Sequence, residues 1–281
     1  MGLLERLNIL HCQDVILKVE NLSTSFNLDA GLFSSSKQKI KALDGVSFEL
    51  YRGETFGIVG ESGSGKTTLA KTIASIFKKS GGSFTIYEKE SPFRLRYVFQ
   101  DPASSLNPRM SIYQILTHGY RYSVKKYAKS LPLGERKKLL LSLKKDKLLK
   151  RVKTVLDSVG LDSSVLERRS SDFSGGQRQR ISLARALMFE PSILICDEVV
   201  SALDLSVQAQ ILNLLVKLKK EYRFSMIFIA HDLAVVSYIC DRVAVMNKGK
   251  IVEVGEALSI VQNPKEEYTK RLYQAIPQLE V

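Results

Sequence analysis

The sequence predicts a layered α/β fold with an inserted helical segment, and three observations carry that reading. Short apolar runs alternate with helix-patterned stretches at both ends of the chain, the pattern of strands covered by helices. The runs at 192–196 and 225–230 are apolar without interruption, as expected of parallel strands buried on both faces. Residues 111–170, in contrast, place Leu139, Leu140, Leu143, Leu148, Val152, Val155, Leu156 and Val159 at helical spacing among lysines.

The elements follow in order. Strand-like runs at 15–19 and 46–50 flank a polar stretch with Ser34, Ser35, Ser36, Lys37 and Lys39, which reads as a hairpin or loop. Residues 55–59 form a short apolar strand that runs into 60–68 and then a helix to about 77. Strands are expected at 83–87 and 95–99, with Gly81 and Gly82 marking the turn after the preceding helix. Helices are expected at 176–189, 205–222 and 233–239, before, between and after the two buried strands.

Composition excludes several classes. No apolar run reaches the roughly 18 residues of a membrane span. The first 13 residues lack the basic start and continuous apolar stretch of a signal peptide. Cys12, Cys196 and Cys240 are scattered, which points to a reducing, cytosolic compartment rather than a disulfide framework or zinc cage. The net charge is +13, but residues 121–153 alone hold thirteen Lys or Arg against Glu135 and Asp146, a local +11. This segment reads as a solvated helix face. An anionic membrane leaflet is a second reading, and Tyr120, Tyr122 and Tyr127 leave a base-stacking nucleic-acid reading open.

Gly60-Glu61-Ser62-Gly63-Ser64-Gly65-Lys66-Thr67 fits G-x-x-x-x-G-K-[ST] between a predicted strand and a predicted helix, with Thr68 following. Glycine lets the backbone wrap an anion where a Cβ would block the dihedrals. The N–H groups and the helix N-terminus then supply positive potential. Lys66 is positioned to reach the β- and γ-phosphates of a nucleotide, and Thr67 to offer a hydroxyl to Mg²⁺. Downstream, the apolar strand at 193–196 ends in Asp197 and Glu198. Asp197 is the candidate Mg²⁺ ligand, because a hard cation takes oxygen donors. Glu198 is the candidate that polarises the attacking water. Alone, two acids at a strand end are equally a solvated pair; the upstream phosphate loop gives them weight.

Ser174-Gly175-Gly176-Gln177 opens a further helical segment and makes a second anion site, although alone it is also an ordinary serine-capped helix. A single nucleotide site has no need of two such helix starts. With this motif present the chain resembles the ABC ATPase family, in which the second motif completes the nucleotide pocket of a partner subunit. Gln100 falls in the place of the family's Q-loop glutamine. Ser201-Ala202-Leu203-Asp204 falls at the D-loop, His231 at the switch histidine, and Phe26 at the aromatic that stacks on adenine. The resemblance runs from about 15 to 277. It is nearest to the peptide and nickel importer ATPases in Gln100-Asp101-Pro102 through Ser105-Leu106-Asn107-Pro108-Arg109, in Val207-Gln208-Ala209-Gln210, and in Asn263-Pro264 with Tyr268-Thr269-Lys270. Ala30-Gly31-Leu32-Phe33 and the following basic loop resemble the second of the two ATPase types these importers use.

The resemblance implies a P-loop NTPase (RecA-like) core with an antiparallel β subdomain over 15–110 and 171–262, an inserted α-helical subdomain at 111–170, and a C-terminal helix or tail at 263–281. It implies ATP and Mg²⁺ as cofactors, with Thr67, Gln100 and Asp197 at the metal and Glu198, His231 and Gln100 in catalysis. It further implies uptake of oligopeptides, dipeptides or nickel from the cytoplasmic face of the inner membrane. The partners would be a second ATPase subunit, either a different chain or a copy of this one, two membrane-spanning permeases and, indirectly, an extracytoplasmic binding protein, with no nucleic acid. Three departures bear on the solute: Val199 replaces a usual proline, Glu266-Glu267 replaces a usual His-Pro, and the stretch from Lys66 to Gln100 is short. The alternative is a non-transport ABC ATPase acting on nucleic acid or ribosomes.

Overall fold

Two long strands, β1 (Val15–Leu28) and β2 (Gln38–Tyr51), pair antiparallel, and β4 (Gly81–Ile86) joins β1 on its other side, giving a three-stranded sheet in the order β2-β1-β4. Both strands of the hairpin are longer than the alternation predicts, because they are bulged. The register slips around Leu22, Asn21 adopts φ 48° and Gly45 φ 68°. A bulge breaks the period-2 pattern and strips backbone groups of ladder partners. Here serine hydroxyls take them over: Asn21 N donates to Ser47 Oγ at 2.8 Å and Gly45 N to Ser23 Oγ at 3.0 Å.

In the computed structural model, residues 14–28, 38–88 and 93–274 are described. The alanine-glycine motif at 30–33, its basic loop, and the first 13 and last seven residues lie outside that set. The described residues fall into two compact units. The first contains the chain up to 88 and from 224 onward, the second the intervening stretch.

The first unit holds the antiparallel sheet and the strand order β7-β3-β8-β9, where β3 is Thr55–Val59, β7 Ser225–Ile229, β8 Arg242–Asn247 and β9 Lys250–Glu256. β3 runs parallel to both β7 and β8, and β9 returns antiparallel. β3 and β7 are buried at every position, which is why both read as continuous apolar runs. Stacked rings of Phe48 and Phe56, 4.9 Å apart, fill the core. Helix α1 (Lys66–Ile73) stops short of the predicted residue 77. Ser75 turns left-handed at φ 58°, and Ile76 N folds back onto Lys71 O at 2.8 Å. Gly81 and Gly82 open strand β4 instead of lying in a turn before it.

The second unit holds a parallel pair, β5 (Leu95–Val98) and β6 (Ile193–Asp197), and helices α2 (Pro102–Ser105), α3 (Ile112–Ala128), α4 (Leu133–Leu140), α5 (Lys145–Ser158), α6 (Gly175–Leu187) and α7 (Leu205–Tyr222). α3 starts at a reciprocal Ser111–Gln114 capping box. α5 buries Leu148, Val152, Val155 and Leu156 along one stripe. Of the thirteen basic residues in 121–153, Arg121 and Arg151 are half-buried and the rest are exposed. Arg151 is structural: its Nε donates to Met188 O at 2.7 Å, and its guanidinium pairs with Glu190 at 3.0 Å. Tyr120 packs edge-on against Phe189, and Tyr127 against Phe93, so two of the three tyrosines weighed for base stacking serve this core. The remaining α-helices among the described residues are α8 (Leu233–Ile239), α9 (Ala257–Gln262) and α10 (Glu267–Gln274), all in the first unit. No described helix is long and apolar enough to cross a membrane.

Candidate functional site

The phosphate loop hangs from the buried end of β3 and closes at the start of α1. Gly60, Gly63 and Gly65 have φ of 153°, 79° and 106°, in the range L side chains rarely adopt. Space adds a second constraint. A Cβ on Gly60 would meet Met246 O at 2.2 Å, and one on Gly65 would meet Ala42 O at 2.8 Å. The loop is braced from beside by the β8–β9 turn, where Gly249 N donates to Ser64 O at 2.8 Å and Asp44 N donates to Gly249 O at 2.9 Å. The run Asn247-Lys248-Gly249-Lys250 between two apolar stretches was the available signal for that hairpin, which the sequence reading did not name.

Inside this ring, Lys66 is only 4% exposed, and its Nζ donates to Gly60 O at 2.7 Å and Glu61 O at 2.8 Å. The ammonium is thus drawn across the mouth of its own loop. Ser64 Oγ is buried with no hydrogen-bond partner, and a buried hydroxyl without a partner is costly. No acidic side chain occupies the first turn of α1. A cationic side chain, an orphaned hydroxyl and a helix start without a side-chain cap or an acidic first turn fit a phosphate group. Thr67 and Thr68 are half-buried in that first turn. Elsewhere in the first unit, Phe26 is 37% exposed and its ring meets Phe77 edge-on at 5.2 Å. His231 is exposed just past β7, and Asp232 beside it caps α8 by accepting from Ala234 N at 2.7 Å.

In the second unit, Asp197 is buried at the tip of β6 and accepts a hydrogen bond from the Tyr97 hydroxyl. Burial, the bond to Asp197 and the nearby acids all push the Tyr97 phenol well above its ordinary pKa, so it stays a donor. A buried carboxylate at a strand tip suits a hard cation. Gln100 Nε2 donates to Glu198 Oε2 at 2.8 Å, joining two residues that the sequence could only list separately. Glu198 sits at φ 47°, in the left-handed region that non-glycine residues take uncommonly. Ser201 N and Oγ both donate to Glu198 O, at 3.2 and 2.9 Å, and hold that turn.

Ser174 and Gln177 form a reciprocal capping box at the start of α6, with Gln177 N on Ser174 Oγ at 3.3 Å and Ser174 N on Gln177 Oε1 at 3.0 Å. Both are exposed. Gly176 has a packing reason as well: a Cβ there would come within 2.6 Å of Val207 Cγ1 on α7, while Gly175 would make only ordinary contact with Leu203. Asp101 caps α2 through Ala103 N and Ser104 N. Sequence reasoning did not name Tyr97 as a partner of Asp197, because nothing local to either residue signals a contact across 100 positions.

Residues 43–201 match the family model described as ABC transporter. The chain is 42% identical over 278 residues to the oligopeptide transport ATP-binding protein OppF of Haemophilus influenzae, covering 94% of this chain and 79% of that protein. The chain belongs to the ABC transporter family as an ATP-hydrolysing subunit. OppF of Escherichia coli is 41% identical over 276 residues, 94% of this ABC subunit and 78% of that protein. Among solved structures, cbiO1 from Clostridium perfringens, part of the ABC transporter complex cbiONQ, is similar with a TM-score of 0.66 at 28% identity, covering 94% of this chain and 97% of that one. An ABC-transporter ATP-binding cassette, MJ1267, is similar with a TM-score of 0.70 at 25% identity, covering 92% and 99%. The expected P-loop NTPase architecture, with its antiparallel sheet and helical part, is the one observed. Matches of this extent to transport subunits do not favour the nucleic-acid or ribosome alternative.

Proposed function

We propose that this ABC subunit drives uptake of peptides, oligopeptides first among them, and that the residues described above carry the work. The similarity of about 40% to oligopeptide transport subunits over nearly the whole chain supports the solute class. The phosphate loop closed around Lys66, with Ser64 Oγ unpartnered, is the observation that carries nucleotide binding.

Lys66 holds the β- and γ-phosphates by charge, while backbone N–H groups of the loop and the start of α1 among residues 60–68, other than that of Glu61, which donates to Tyr268, donate to them. Phe26 offers its exposed face to the adenine. Thr67, Gln100 and Asp197 would hold Mg²⁺, which neutralises charge building on the phosphate oxygens. Glu198 orients and polarises the attacking water, and the Gln100 amide fixes that carboxylate. His231 acts at the reacting end of the nucleotide. Ser174, Gly175, Gly176 and Gln177 serve the nucleotide of a partner ATPase subunit, so closure of the pair is favourable with ATP present and lost after hydrolysis. Such differential affinity is what a two-state cycle requires. We assign the chain as the second-type subunit, peripheral to the inner membrane on its cytoplasmic face. It would work with a second ATPase chain, two permeases and, through them, a binding protein.

The test is ATP hydrolysis by the subunit alone, with its membrane partners and peptide-loaded binding protein, and with nucleic acid or ribosomes. Stimulation by the membrane assembly and peptide is expected. Stimulation by nucleic acid or ribosomes alone would replace transport with the other function.

A further inference from the structure

The phosphate loop has a support that comes from the far end of the chain. The backbone N–H of Glu61, its second residue, donates to the hydroxyl of Tyr268 at 3.1 Å, across 207 positions. Tyr268 lies in the first turn of α10, and the start of α10 is itself clamped. The Glu253 carboxylate on β9 accepts Lys265 N at 2.9 Å and Glu266 N at 3.1 Å, one oxygen to each. β9 pairs with β8, and the turn between them carries Gly249, whose N–H holds Ser64 O at 2.8 Å. The loop is therefore gripped at Glu61 and at Ser64, and both grips rest on the β8–β9 hairpin.

The chemistry of each link suits a fixed brace. Burial would raise the Glu253 carboxyl, but the hydrogen bonds it accepts, those from Lys265 and Glu266 N–H among them, bring it below its ordinary range, so it stays an acceptor. Burial and the nearby Glu61 carboxylate raise the Tyr268 phenol, which keeps its proton while its oxygen accepts. Lys66 Nζ donates to Glu61 O, on the residue whose N–H Tyr268 takes. A shift of Glu61 would move the carbonyl that holds the ammonium.

We propose that Tyr268 is a positioning residue for nucleotide binding: with the Glu253 clamp, it makes α10 a brace that holds the phosphate loop in its anion-binding shape before the nucleotide arrives. The inference rests on the reading of this loop as the ATP site. Preorganisation of this kind raises affinity by removing an ordering cost at binding.

The test uses the full chain without nucleotide and then with a fluorescent ATP analogue. Tyr268→Phe removes only the accepting oxygen. It should speed amide hydrogen exchange at Glu61 in the free protein and weaken analogue binding about three- to tenfold, the span of a single lost hydrogen bond, with little change in melting temperature. Glu253→Gln should weaken binding in the same direction, and the double variant should lose less than the product of the two, because both act through one brace. If Tyr268→Phe leaves Glu61 exchange and affinity as in the wild type, or lowers the melting temperature with affinity unchanged, Tyr268 is packing only and the inference fails. If the wild type itself does not bind the analogue, the reading of the loop has failed instead.

Discussion

Gly65 in the phosphate loop and Gly53 before β3 separate two constraints that sequence alone merges. Gly65 has a left-handed backbone and a carbonyl 2.8 Å from where a Cβ would stand, whereas Gly53 at φ 73° has open space around it. Gly65→Ala should therefore cost about 1–3 kcal/mol in stability from backbone strain and also abolish nucleotide binding, because backbone cannot yield as a flexible side chain does. Gly53→Ala should cost strain of the same order and leave ATP affinity intact. Denaturant unfolding and nucleotide titration of both variants check this; equal affinity loss in the two would remove the loop-specific part. The residues most legible in the sequence were of this local kind. Gly60 to Thr67 lie in one contiguous motif, and Asp197 and Glu198 end one apolar strand. The donor that Gln100 provides to Glu198, the Tyr97–Asp197 contact and the Tyr268 brace were not legible, since each depends on a pairing 98, 100 or 207 positions long.

At the scale of elements, periodicity located β3, β7, α7 and α8 where they stand, because each is either buried throughout or striped on one face. It failed where geometry departs from an ideal period: the bulged β1 and β2, and the left-handed stop at Ser75. The contact of α6 with α7 gives an element-level prediction. Gly176 lets α7 approach so closely that an added methyl would meet Val207 Cγ1 at 2.6 Å. Val207 is β-branched and has little rotamer freedom in a helix to move aside. Gly176→Ala should destabilise the protein by about 1–3 kcal/mol through overpacking, and adding Val207→Ala should return part of that loss. Thermal unfolding of the single and double variants decides it; strictly additive losses would mean that the two helices do not meet in this way.

For the whole molecule, charge and fold make separate statements. The +11 of residues 121–153 is mostly displayed on exposed helix faces of the second unit, whereas the residues proposed to handle the nucleotide sit at strand ends and helix starts. That division let the motifs identify the ATPase while the charge alone identified nothing. We propose that hydrolysis assisted by Glu198 powers peptide uptake. The direct measurement is ATP-dependent uptake of a labelled oligopeptide into vesicles containing the complete transporter, with wild-type subunit or Glu198→Gln, alongside ATP binding by each. The near-isosteric change should reduce hydrolysis and uptake by at least about a hundredfold, the scale of a lost general base, while ATP still binds. Wild-type uptake and turnover in Glu198→Gln would mean that Glu198 does not carry the hydrolysis that drives uptake.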